Sequence, residues 1–202
     1  MKTTSHLLFS GLFLILSMFY FIGCQEASFD EAPVAEEELD EMSIFHLPSQ
    51  WHTQDGEQIT LEDLKGETLV AVMIYTACRT ACPRLVADMR NIEAAVSAKS
   101  KEKVKYIMIS IDPVNDTPEK LKVFAKENQM DDPKWLFLQG TEETVRDFAN
   151  ILAAKYKQIS PIDFSHSNII SVFDTKGVLR FQKEGLGMEN NEIISRIVEI
   201  IK

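Results

Sequence analysis

A mixed α/β layer structure is predicted by three features of the chain. Two runs of nearly unbroken apolar residues, "TLVAVMIY" (68–75) and "VKYIMISI" (104–111), read as central strands covered on both faces. Each is followed by a segment of helical spacing, so strands and helices alternate as they do around a parallel sheet. Near the C-terminus, "NIISVFD" and "VLRFQKE" flank "TKG" and read as an antiparallel hairpin at one side of that sheet.

The elements follow in order. "QWHTQDGEQIT" (50–60) reads as a small hairpin, with Asp55-Gly56 supplying the turn. "LEDLKG" is a short helical turn ending at Gly66. After the first central strand, Leu85, Val86, Met89, Ile92 and Val96 form one apolar stripe, predicting a helix from Pro83 to about Ala98 with proline in its first turn. After the second strand, Thr117 is placed as an N-cap and Pro118 at the first helical position. "KWLFLQG" (134–140) reads as a third strand and "TEETVRDFANILAAKY" (141–156) as a helix capped by Thr141. "NNEIISRIVEIIK" is an amphipathic closing helix. This order is the plan of a thioredoxin-like fold: a mixed central sheet with flanking helices, preceded by an N-terminal hairpin.

Not all 202 residues belong to that fold. The apolar run from Leu7 to Gly23 follows a positive charge and ends at a small residue, the layout of a secretory leader. Its last residues and Cys24, "FIGC", resemble the lipobox of bacterial lipoproteins, with Phe21 where leucine is usual. The expectation is a signal peptide over 1–23 and a lipidated Cys24; an uncleaved anchor helix is the alternative. Both hold the domain to a membrane outside the cytoplasm.

Residues 25–42 carry eight acids and no base, which reads as a solvated tether. Without those acids and the one base of the leader, the net charge of −10 becomes −3 for residues 43–202. That near-neutral domain has no basic stripe, which excludes nucleic acid as a partner. Its 160 residues are enough for one domain with its own core.

The chemistry centres on "YTACRTACP" (75–83). Of three cysteines, Cys24 is assigned to the lipid, leaving Cys78 and Cys82 as the domain's pair. A domain of this size does not need a disulfide, and a bridge over so short a loop would remove little unfolded-state entropy. Residues four apart share a helix face, so a helix beginning near Cys78 would aim both sulfurs at one target. A helix N-terminus favours thiolate, and Arg79 pushes the same way. The spacing alone serves a redox disulfide as well as a metal.

A third ligand would decide. His46 and His52 lie in the N-terminal segment, where exposure is the simpler expectation. His166, in "DFSHSNIISVFD", directly precedes a core strand. Thioredoxin-like folds place that loop opposite the active-site helix, and their oxidoreductases carry a cis-proline there. This chain has no proline after Pro161. Two thiolates and one imidazole suit Cu(I) and also accept Cu(II), whereas structural zinc takes four protein ligands.

Residues 45–202 resemble the Sco/SenC family of copper-binding, thioredoxin-like assembly proteins. "YTACRTACP" is similar to the family's Y-T-x-C-x-x-x-C-P, and "SIDPVNDTPEKLKVFA" to its S-x-D-P-x-x-D-T-P block, with Phe124 where tyrosine is common. "HSNIISVFDTKG" matches its H-S…D-x-x-G. The resemblance implies a copper ion, Cu(I) or Cu(II), on Cys78, Cys82 and His166. It further implies membrane tethering outside the cytoplasm, and a part in building the CuA centre of cytochrome c oxidase subunit II.

The chain departs from the family twice. Arg79-Thr80-Ala81 stands where Pro-Asp-Val or Pro-Asp-Ile is common, and Ser165 where an acid often precedes the histidine. A cation in place of an anion weakens a site for a dication and leaves thiolate reactivity intact. Asp116 and Thr117 read as turn and cap residues. Asp112 could orient a ligand, with a turn role the simpler expectation. The leading expectation is a copper metallochaperone. Its rival is a thiol–disulfide oxidoreductase that reduces a client's copper-ligand cysteines through the redox pair Cys78 and Cys82. Nothing beyond the fold points to a peroxidase, and a copper or redox sensor leaves no distinct trace in sequence.

Overall fold

The structure, a computed structural model, describes residues 40–100, 104–187 and 189–202. The leader, Cys24 and the acidic stretch up to residue 39 lie outside the described residues, and among the described ones no helix is long and apolar enough to cross a membrane.

The N-terminal hairpin forms as expected, with strands β1 (Gln50–Thr53) and β2 (Gln58–Thr60). Gly56 holds its turn at φ +82°, a region open to glycine without penalty. The two apolar runs become β3 (Thr68–Ile74), buried at every position, and β4 (Val104–Ser110). Between them runs α1 (Cys82–Ser97), which buries the predicted stripe of Leu85, Val86, Met89, Ile92 and Val96. Helix α2 (Pro118–Glu127) starts at the predicted Thr117 cap, whose side chain accepts from the Lys120 N–H. Strand β5 (Trp135–Gln139) and helix α3 (Glu142–Ile151) follow, α3 opening with a reciprocal capping box between Thr141 and Thr144.

Helix α3 is shorter than the pattern predicts. It stops at Ile151 rather than continuing to Tyr156. Ala153 adopts φ +51°, and the Ala154 N–H turns back to the Ala149 carbonyl at 2.9 Å, a Schellman closure. Chain that would have extended the helix instead forms β6 (Tyr156–Ser160), which pairs antiparallel with β7 (Asp163–His166), Tyr156 opposite His166. This two-stranded ribbon is not anticipated from the sequence. Pairing along β7 outweighs the helix preference of two alanines.

Strands β8 (Ile169–Phe173) and β9 (Leu179–Glu184) form the closing hairpin, and α4 (Asn191–Ile200) ends the chain against α1 and β9. The main sheet has the order β2-β1-β5-β4-β3-β8-β9. Its centre, β3-β4-β5, is parallel; β1 joins β5 antiparallel, and β8 joins β3 antiparallel. The mixed sheet with flanking helices matches the predicted fold class.

The domain has two distinct poles. The loops after β3 and β4 leave from the carboxyl ends of parallel strands, where open α/β sheets gather their chemistry. At the other pole the described chain begins: Ser43 bridges Val178, its hydroxyl donates to the Lys176 carbonyl at 2.6 Å, and the Ile44 N–H donates to the Gly177 carbonyl at 3.0 Å.

Candidate metal centre

Cys82 is the first residue of α1 and fully buried, while Cys78 sits in the preceding loop and is 8% exposed. The helix therefore begins four residues later than the shared-face expectation required. The sulfurs still converge, because the loop folds Cys78 back over the helix start. The Cys82 N–H donates to Cys78 Sγ at 3.3 Å. One of the orphan donors of the first helical turn is satisfied by sulfur. The two cysteines are free thiols.

Their environments differ. Burial pushes the Cys78 thiol up. The N–H groups of Cys82 and Thr80, the Cys82 thiol and the Tyr75 hydroxyl outweigh it, and hold the thiol below its ordinary value. These hydrogen bonds carry the shift, rather than the exposed Arg79. Burial pushes the Cys82 thiol well above its ordinary value, and the nearby Cys78 and Asp116 add to the rise. Cys78 is thus the more readily ionised of the two thiols.

His166 ends β7 and faces this pair. The ligand atoms of Cys78, Cys82 and His166 all lie within 4.8 Å of one another, the one such histidine, cysteine or carboxylate cluster among the described residues. His166 Nδ1 lies 3.0 Å from the Ser167 carbonyl. A carbonyl can only accept, so Nδ1 carries the proton and Nε2 presents its lone pair. Nε2 is buried and has no hydrogen-bond partner. Burial also holds the imidazole below its ordinary range, which keeps it neutral. A neutral ring with one nitrogen fixed by a carbonyl and the other free is the form that binds a metal.

The other histidines do not join. His52 is exposed on β1 opposite Gln139, and exposed His46 has Nε2 3.0 Å from the Asp40 carbonyl.

The second acidic block divides. Asp112 closes its own turn, accepting from Asn115 Nδ2 at 2.9 and 3.0 Å, and Thr117 caps α2. Asp116 does more than the expected turn formation. It is buried, and accepts from Ser110 Oγ at 2.7 Å, the Thr76 N–H at 3.0 Å and the Thr76 hydroxyl. It thereby fixes the backbone two residues before Cys78. Sequence reasoning also missed Tyr75, whose ring lies between the thiol loop and β7. The signal available was weak: "KYKQIS" and "DFSH" are short strand-like runs around Pro161 and Ile162.

The sequence model of the SCO1/SenC family matches residues 37–202. The chain belongs to the SCO1/SenC family. A SCO1 protein homolog of Bacillus subtilis is 37% identical over 103 residues, covering 50% of this chain and 53% of that relative. Among solved structures, BsSco, a member of the Sco family of cytochrome c oxidase assembly proteins, is 28% identical with a TM-score of 0.69, over 81% of this chain and 96% of that one. Arabidopsis thaliana ScoI with copper bound aligns with a TM-score of 0.68 at 20% identity, over 76% of this chain and 95% of that one, and bears on the fold alone. The SCO1/SenC match includes β3, the thiol loop and His166, so the site lies inside the family domain.

Proposed function

We propose that this chain is a copper metallochaperone, held to a membrane outside the cytoplasm, that delivers copper to the CuA centre of cytochrome c oxidase subunit II. The observation that carries this reading is the convergence of Cys78, Cys82 and His166 with Nε2 buried and unpartnered. Two sulfurs and an imidazole suit copper better than a four-ligand structural zinc. The naming of BsSco as a cytochrome c oxidase assembly protein supports the choice of client class.

Copper is cargo here, not a resident cofactor. Cys78 ionises more readily than Cys82, and both thiols must give up their protons for the metal to bind. Delivery runs by ligand exchange, each incoming client thiolate displacing one sulfur. The deciding experiment is metal analysis of the reduced domain, residues 43–202, after copper loading. One copper per chain, lost in Cys78→Ser, is the expected result; no copper retained in either oxidation state overturns the reading.

The unequal thiols favour a second reading, a thiol–disulfide oxidoreductase acting on a client's copper-ligand cysteines. A low thiol followed by a buried high one is the arrangement of an attacking and a resolving cysteine. Both activities can reside on one pair.

The domain plan belongs to the same proposal: a signal peptide over 1–23, lipidated Cys24 with an acidic tether to residue 42, then the folded domain. Cys24→Ser should release the protein from membranes or leave its leader uncut. A wild-type protein that is membrane-bound with Met1 intact would instead identify an anchor helix.

A further inference from the structure

His166 reaches the thiols on a ribbon that makes no strand pairing with the main sheet; β6 and β7 pair only with each other. At its base the ribbon is closed by the Ser167 N–H donating to the Lys155 carbonyl at 2.8 Å and the Lys155 N–H donating to Ser167 Oγ at 3.2 Å. Something else must fix it over the cysteines.

Tyr156 packs β6 on the core, and one side chain from the thiol-loop strand engages β7. Tyr75 immediately follows β3, three residues before Cys78, and is 2% exposed. Its ring packs against Phe164, with centroids 5.3 Å apart, and meets the His166 ring edge-on at 5.8 Å. Its hydroxyl donates to the Asp163 carboxylate and lies 3.3 Å from the Phe164 carbonyl. Asp163 Oδ1 also accepts from the Phe164 N–H at 3.0 Å, so the carboxylate is held by its own strand as well. Asp163, Phe164 and His166 of β7 are thus each engaged by a tyrosine rooted on the strand that carries the thiol loop. The acid of this chain stands three places before the histidine and binds a tyrosine, while Ser165 directly precedes the histidine.

The geometry points to the Tyr75–Asp163 pair as a latch that positions His166 on the two sulfurs and so sets the nitrogen share of copper binding. Neither residue supplies a ligand atom; Asp163 acts through the imidazole, and Tyr75 acts through it and through a hydroxyl that also lies beside the Cys78 sulfur. With the latch broken, ring stacking and the base hydrogen bonds remain, and Nε2 loses its fixed aim. The proposal rests on the copper reading for its metal readout but not for its structural one.

The test uses the full-length reduced chain and four variants: Tyr75→Phe, Asp163→Ala, the two combined, and Asp163→Asn. Cu(II) affinity is measured by competition with a chelator, nitrogen coupling by electron paramagnetic resonance, and amide hydrogen exchange of residues 156–166 without copper. Tyr75→Phe and Asp163→Ala should each weaken Cu(II) about 10-fold or more, the lower end of what supporting residues contribute at metal sites, and the double variant should be no weaker than Tyr75→Phe alone. Both should speed ribbon exchange while β3 and β4 stay protected. Asp163→Asn keeps an acceptor oxygen and should stay near wild type. If wild type binds copper and the two disruptive variants match it in affinity, coupling and exchange, the latch is refuted; additive losses in the double variant refute it too. If wild type binds no copper, the delivery reading falls, and the copper-free exchange still decides the latch, unchanged ribbon exchange refuting it.

Discussion

The backbone N–H of Cys82 donates to the sulfur of Cys78 at 3.3 Å. The helix start that carries one thiol thereby stabilises the charge of the other. Chemistry at this site is divided before any metal arrives.

The first prediction concerns that division. In the reduced protein at neutral pH, a small alkylating reagent should modify Cys78 at least about 10-fold faster than Cys82, since reactivity follows thiolate content and exposure. Peptide mass spectrometry over a time course reads the two sites. Equal rates would remove the asymmetry and the second functional reading with it.

The second separates delivery from reduction. His166→Ala should leave the Cys78–Cys82 disulfide able to form and be reduced, because exchange needs only an attacking and a leaving thiolate. Copper should bind about 10-fold more weakly or worse. Cu(II) should suffer more than Cu(I), which two thiolates can hold alone. Titration of both oxidation states checks this; equal Cu(II) affinity would take His166 out of the site.

The third concerns acid. Burial lowers the folded-state pKa of His166 below its ordinary 6.5. Between the lowered value and 6.5 the unfolded chain binds more protons, so stability rises with pH across that window and is lost as pH falls through it. His166→Gln should remove this part of the pH dependence. Urea unfolding of copper-free wild type and variant at pH 5 to 8 measures the difference, and parallel curves would refute it.

The fourth concerns Asp116. Burial raises its pKa, against hydrogen bonds from Ser110 and Thr76 that lower it. Asp116→Ala leaves the Thr76 N–H without its acceptor at the root of the thiol loop. The expected loss is about 3 kcal/mol, the scale for a buried hydrogen bond to a charged group. Denaturant unfolding gives the number, and a change under 0.5 kcal/mol, the usual range of surface substitutions, would deny Asp116 its role.

Strands β3 and β4 are legible as unbroken apolar runs and α1 as an apolar stripe at helical spacing, all local patterns, and Thr117 and Thr141 announce their helices through side-chain capping chemistry. The thiols and His166 are legible as residue types in a known order. Their convergence is legible only through the fold and family they resemble, because it depends on β8 lying antiparallel beside β3, a pairing no local pattern carries. The ribbon escapes for a different reason. Ala153 and Ala154 look helical, and only non-local pairing across Pro161 outweighs that preference. Asp116 and Tyr75 look like an ordinary turn acid and an ordinary strand end, since a hydrogen bond spanning 40 or 88 residues leaves no local pattern.

Strand β8 carries a further mechanical meaning. Its N-terminal end follows His166 closely, and beyond its C-terminal end the turn at Lys176–Val178 clasps Ser43 and Ile44, where the described chain begins. The five residues of β8, roughly 17 Å of strand, therefore lie between the grip and the working tip. A pull applied at Ser43 and Ile44 is borne by the turn after β8 and by the far end of the sheet, and it reaches the thiol loop only through the length of the central strands.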